Sequence, residues 1–109
     1  MAQDGSVLDE LFAVIASRKG TDPDKSYTAK LFARGRGKIA QKFGEEAVEA
    51  VVAALSEGKD ELVAESADTL YHMMVLWADC GIDPVKVWAE LARRGGTSGI
   101  DEKKSRSKK

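Results

Sequence analysis

A single cysteine, Cys80, excludes an internal disulfide and any zinc site built on thiolates. Excess charge is missing too. Lysine plus arginine is 17 against 18 for aspartate plus glutamate, a net charge of −1 that argues against a partner held by bulk electrostatics, whether nucleic acid or membrane. The longest apolar runs, such as Met73–Ala78, are far too short to span a bilayer. Residues Met1–Ser6 are polar and do not resemble a signal peptide. No segment sustains the period-two alternation of a half-buried strand, so no sheet is expected. These absences leave a soluble, cytoplasmic protein as the expectation.

What is present is a globular balance. Hydrophobic residues make up 43% and charged residues 32% of 109 positions, so the chain is expected to form one domain, residues 1–109, with a real core. A chain of this size buries roughly two-thirds of the surface its unfolded form exposes, so no covalent staple is needed. Residues 1–6 and 101–109 are expected to be flexible.

The apolar spacing is helical almost throughout. Leu8, Leu11, Phe12 and Ile15 form one face of a helix over about 7–19, ended by Gly20. Pro23 marks a loop, and Ser26 is a good N-cap for a short helix over about 27–34. Gly35 and Gly37 bracket a break. Two long helices follow, about 38–57 and 60–79, stopped by Gly58 and Gly81. Asp83-Pro84, an N-cap followed by proline at the first helical position, opens a last helix to about residue 93. Gly95, Gly96 and Gly99 read as a flexible loop before a charged tail. The fold class is therefore all-α, a helical bundle with two long central antiparallel helices.

The chemistry lies on those two helices. At about 100° per residue, Glu61, Glu65, Asp68 and His72 fall within one narrow stripe, while the rest of their helix is apolar nearly all round. Such a helix belongs inside a bundle or an oligomer, so its acids are not expected to face bulk water. On the preceding helix Lys38, Lys42, Glu45, Glu46 and Glu49 share one arc. The short turn between the helices brings Glu49 and Glu65 to similar height. Facing carboxylates repel and need protons, lysines or divalent cations, and an all-carboxylate oxygen site suits Mg²⁺ or Mn²⁺. Carboxylates holding such cations cleave phosphate esters and anhydrides. The i,i+3 and i,i+4 spacings equally fit ordinary surface ion pairs on a non-enzymatic helical dimer. His72 reads as a partner of Asp68, and Tyr71, Trp77 and Trp88 as core or dimer packing.

Gly44-Glu45-Glu46-Ala47-Val48-Glu49 followed by Glu65-Ser66-Ala67-Asp68 resembles the ExxE…ExxD signature of the MazG-like all-α nucleoside triphosphate pyrophosphohydrolases. Ser26–Leu31, Lys42–Ala47, Asp68–His72 and Ser98–Lys103 resemble one branch more closely, the phosphoribosyl-ATP pyrophosphohydrolases of histidine biosynthesis. The likeness runs over about 7–106. Asp101 is a small departure, where that family more often carries Glu.

The resemblance implies Mg²⁺-dependent hydrolysis of phosphoribosyl-ATP to phosphoribosyl-AMP and pyrophosphate, by a homodimer whose subunits together complete the bundle. It implies Glu46, Glu49, Glu65 and Asp68 as metal ligands, with Mn²⁺ as a substitute. Glu45 would be an added ligand or the group that orients water, completing the catalytic set. Lys38 or Lys42 would neutralise the leaving pyrophosphate, and His72 joins the substrate-binding set. Arg34, Arg36, Lys103 and Arg106 are candidates for phosphates of the ribose arm, with Ser98 closing over them on a glycine hinge. A housecleaning pyrophosphohydrolase acting on non-standard nucleotides remains the alternative of the same fold.

Overall fold

Local chemistry starts and stops each helix of the computed structural model, which describes residues 1–96 and 99–107. Among the described residues there are six: α1 (Val7–Ser17), α2 (Tyr27–Arg34), α3 (Arg36–Ser56), α4 (Lys59–Asp79), α5 (Pro84–Gly95) and α6 (Gly99–Ser107). The Ser26 hydroxyl accepts from the Ala29 amide at 3.1 Å and so caps α2. Asp83 does the same for α5, accepting from the Val85 amide at 3.0 Å ahead of Pro84 at the first position.

Gly81 ends α4. Its φ of +73° is open to glycine at no steric penalty, and the Ile82 amide reaches back to the Trp77 carbonyl at 2.9 Å while the Gly81 amide bonds to Ala78. The break between α2 and α3 is narrower than the two glycines suggested. Gly35, with φ +94°, makes the turn alone, and Gly37 lies inside α3. Residues 99–107, read from sequence as loop and tail, carry α6, whose lysines, arginine and glutamate are good helix formers.

The core is one cluster of Ile15, Leu31, Ile39, Met74 and Val75, one or two residues from each of the first four helices. Leu8, Leu11, Phe12, Phe32, Tyr71 and Trp77 pack around it. Trp88 ties α5 to this body: its ring meets Trp77 edge-on at 5.8 Å, and its Nε1 donates to Asp9 at 2.9 Å. Arg36, in the first turn of α3, donates to Asp79 at the end of α4 at 2.9 Å.

All of that packing covers only one half of the α3–α4 hairpin. Towards the Glu57–Gly58 turn, Val48, Val51, Val52 and Leu55 of α3 and Val63 of α4 are exposed, with Ala53 the buried residue of that half. Val48, Val51 and Leu55 lie within about 60° of one another around α3. The radius of gyration, 15.9 Å, exceeds the ~13 Å of a compact chain of this length. The nearly all-round apolar surface of the two long helices is therefore not used up within one chain.

Candidate active site

Because α3 and α4 run antiparallel through a two-residue turn, the acids of each face the other. Glu46, Glu65 and Asp68 each offer a carboxylate oxygen, and these oxygens lie within 4.8 Å of one another. Glu49 stands close enough to add its charge to the field at Glu65. The Glu65 carboxyl is pushed above the ordinary carboxylate range, first by burial and then by Glu46, Asp68 and Glu49. Its Oε2 is shut away from solvent with no hydrogen-bond partner.

An unpartnered buried carboxylate oxygen surrounded by further negative charge calls for a proton or a cation. Three oxygens drawn together in this way, with no sulfur or nitrogen among them, suit a hard divalent ion such as Mg²⁺ or Mn²⁺. The residues present therefore fit such an ion.

Glu45 stands apart from that cluster. It is exposed, accepts from the Gln41 amide at 3.1 Å and pairs with Lys42 at 3.6 Å. Gln41 holds its carboxyl below the ordinary range, helped by Lys42 and Lys38. Lys38, Lys42 and Glu45 thus form a mixed-charge edge of α3 beside the acidic cluster.

His72 is buried, 5% exposed, with Nδ1 2.8 Å from the Asp68 carbonyl oxygen. Nδ1 therefore carries the proton and donates, which ties the ring to the backbone turn that bears Asp68. Its Nε2 is buried without a partner. The rings of Tyr71 and Tyr27 meet the imidazole edge-on at 5.0 and 6.3 Å.

The remaining cations lie elsewhere. Arg36 is engaged with Asp79, and Arg34 is exposed at the end of α2. Lys103 and Arg106 are exposed on α6, and Ser98 lies outside the described residues.

Sequence reasoning passed over Thr69. Its Oγ1 is 2.7 Å from the Glu65 carbonyl and 3.1 Å from that of Glu46, between two members of the cluster. A threonine inside a helix, four residues after an acid, was the available signal, but its bond across to α3 has none.

Residues 8–95 match the family model described as phosphoribosyl-ATP pyrophosphohydrolase. The chain is 86% identical over 109 residues to a phosphoribosyl-ATP pyrophosphatase of Paramagnetospirillum magneticum, covering all of both chains. It is 71% identical over 102 residues to that of Rhodospirillum rubrum, covering 94% of this chain and 87% of the relative. It is 59% identical over 109 residues to that of Azospirillum brasilense, covering 97% and 98%.

Proposed function

This chain belongs to the phosphoribosyl-ATP pyrophosphohydrolase family, and we propose on that footing that its acidic cluster hydrolyses phosphoribosyl-ATP to phosphoribosyl-AMP and pyrophosphate, the second step of histidine biosynthesis. The observation that carries the site assignment is the buried, unpartnered Glu65 Oε2 among Glu46, Glu49 and Asp68.

Glu46, Glu49, Glu65 and Asp68 are the residues that hold Mg²⁺ in this reading. When bound, the ion neutralises phosphate oxygens and raises the acidity of the water that attacks. The chain's other groups prepare the reaction. His72, through Nδ1, fixes the turn of α4 that presents Asp68, and its buried ring supports the substrate side of the cluster from behind in this reading. Glu45 keeps Lys42 in place beside the cluster, and in this reading it would orient the attacking water only on turning from Gln41 towards the acids. Lys38 and Lys42 neutralise charge on the departing pyrophosphate. Arg34, Lys103 and Arg106 serve the phosphate of the ribose arm.

The exposed apolar face of α3 and α4 is the contact with a second copy of the chain in this reading. Contiguous apolar surface of this kind is rare on monomers, and a second hairpin would complete the bundle around the acids. The chain works as one domain, residues 1–109. None of its helices, among the described residues, is long and apolar enough to cross a membrane, and we place the reaction in the cytoplasm.

The test is pyrophosphate release from phosphoribosyl-ATP, ATP and dUTP, each with Mg²⁺ and with chelator. Phosphoribosyl-ATP should be cleaved far faster than the others, and chelator should abolish the reaction. Equal or faster cleavage of dUTP would instead mark a housecleaning enzyme. No cleavage of any of the three would leave a helical scaffold.

A further inference from the structure

Thr69 carries no charge and belongs to none of the acid pairs, yet it touches the backbone of two proposed ligands at once. Its Oγ1 lies 2.7 Å from the Glu65 carbonyl, one turn back on α4, and 3.1 Å from the Glu46 carbonyl on α3. A hydroxyl has one proton to donate, so the two carbonyls share it as a three-centre bond.

The bond within α4 is ordinary for a helical threonine. The bond across to α3 is different, because the Glu46 carbonyl lies within a regular helix and does not need a second donor to be satisfied. It is a directional tie between the two helices at the level of the cluster. A further side-chain tie between them, Arg36 to Asp79, lies at the opposite end of the hairpin from its turn. Between these two points the described core contact is apolar, Ile39 of α3 packing with Met74 and Val75 of α4. Such apolar contact is non-directional, whereas a hydrogen bond constrains both distance and angle.

The register of α3 against α4 sets the separation of Glu46 from Glu65 and Asp68. One residue of slip moves a side chain about 1.5 Å along the axis and turns it by about 100°. Mg²⁺ demands near-ideal octahedral geometry, so its site tolerates little of either motion.

We propose that Thr69 is a positioning residue, whose shared hydrogen bond to the Glu46 and Glu65 carbonyls locks the register of α3 against α4 and so holds the carboxylates at cation-binding distance. This rests on reading the acidic cluster as the metal site.

The experiment measures Mn²⁺ binding without substrate, by calorimetry, for wild type, Thr69→Val, Thr69→Ala and Thr69→Ser. Melting of each protein is recorded in chelator. Thr69→Val keeps the shape and loses the hydroxyl, and Thr69→Ser keeps the hydroxyl. Removing a group that orients a metal ligand typically weakens the metal ~10–100-fold, the effect expected for Thr69→Val and Thr69→Ala, with Thr69→Ser restored to near wild type. The metal-free melting temperature should change little across the set.

If Thr69→Val lowers the metal-free melting temperature while binding Mn²⁺ as wild type does, the residue is merely structural and the proposal fails. Should Thr69→Val not fold, Thr69→Ala against Thr69→Ser carries the same comparison. Wild type that binds no Mn²⁺ overturns the metal site itself, and the role of Thr69 with it.

Discussion

Leu55 stands 81% exposed on the outer face of α3, next to its last residue and just before the hairpin bends back. Within a single chain it touches almost nothing, so Leu55→Ala should leave the stability of an isolated protomer within about 0.5 kcal/mol. A dimer that covers this face gives a different answer. Fully burying a leucine side chain is worth about 1.5–3 kcal/mol, and trimming it to alanine at an interface forfeits about 2 kcal/mol of that. A two-fold interface presents every residue twice, so the loss per dimer is about 4 kcal/mol. At about 1.4 kcal/mol per decade, the dissociation constant should rise on the order of 10³-fold.

Sedimentation equilibrium across nanomolar to high micromolar concentration reads this directly. Wild type should remain dimeric where Leu55→Ala is largely monomeric, and the variant's melting temperature should depend more steeply on concentration. An unchanged dissociation constant in Leu55→Ala would show that this face is not the contact. Wild type that is a folded, active monomer at micromolar concentration would refute the reasoning altogether.

Glu65→Gln removes one charge from the repelling cluster while keeping its shape, so the metal-free protein should melt higher, the Mg²⁺-induced rise should shrink and activity should fall by orders of magnitude. Melting in chelator and in Mg²⁺ checks it, and a lower metal-free melting temperature would mean that Glu65 is stabilised by a pairing instead. Because the fold raises the Glu65 pKa, metal-free stability should decline as pH rises from its ordinary value of 4.5 through the raised one, a slope absent in Glu65→Gln. Glu90 acts in the opposite sense: held at about 2 by Arg93 and Arg94, it adds stability above 4.5 that is lost as pH falls towards about 2, and Glu90→Gln should remove that acid-side slope in a pH series of melts. Replacing Lys103 and Arg106 together by alanine should raise the KM for phosphoribosyl-ATP while the bundle stays folded; steady-state kinetics unchanged from wild type would remove them from the site.

Helix existence was legible in the sequence wherever a local signal sufficed. Ser26, Gly81 and Asp83-Pro84 act through bonds within a few residues, and each makes the cap its chemistry suggests. The narrow stripe of Glu65, Asp68 and His72 follows from helical periodicity alone. Periodicity does not extend to α6, whose charged run has helix-forming residues but no apolar face to reveal them.

The set of acids and the helices that carry them could be read directly from the sequence, because both depend on spacing along one chain. Which acids meet depends on how the helices pack. Glu46, Glu65 and Asp68 converge, Glu45 turns aside to Lys42 and Gln41, and Arg36 is spent on Asp79. Thr69 reaching the Glu46 carbonyl, and the orphaned oxygen of Glu65, are likewise products of how two helices lie against each other. Spacing places a residue on a face of its own helix. The axial register and rotation of the neighbour determine what that face meets, and those are set by many contacts between the helices, directional ones such as the Thr69 bond among them, that no local pattern encodes.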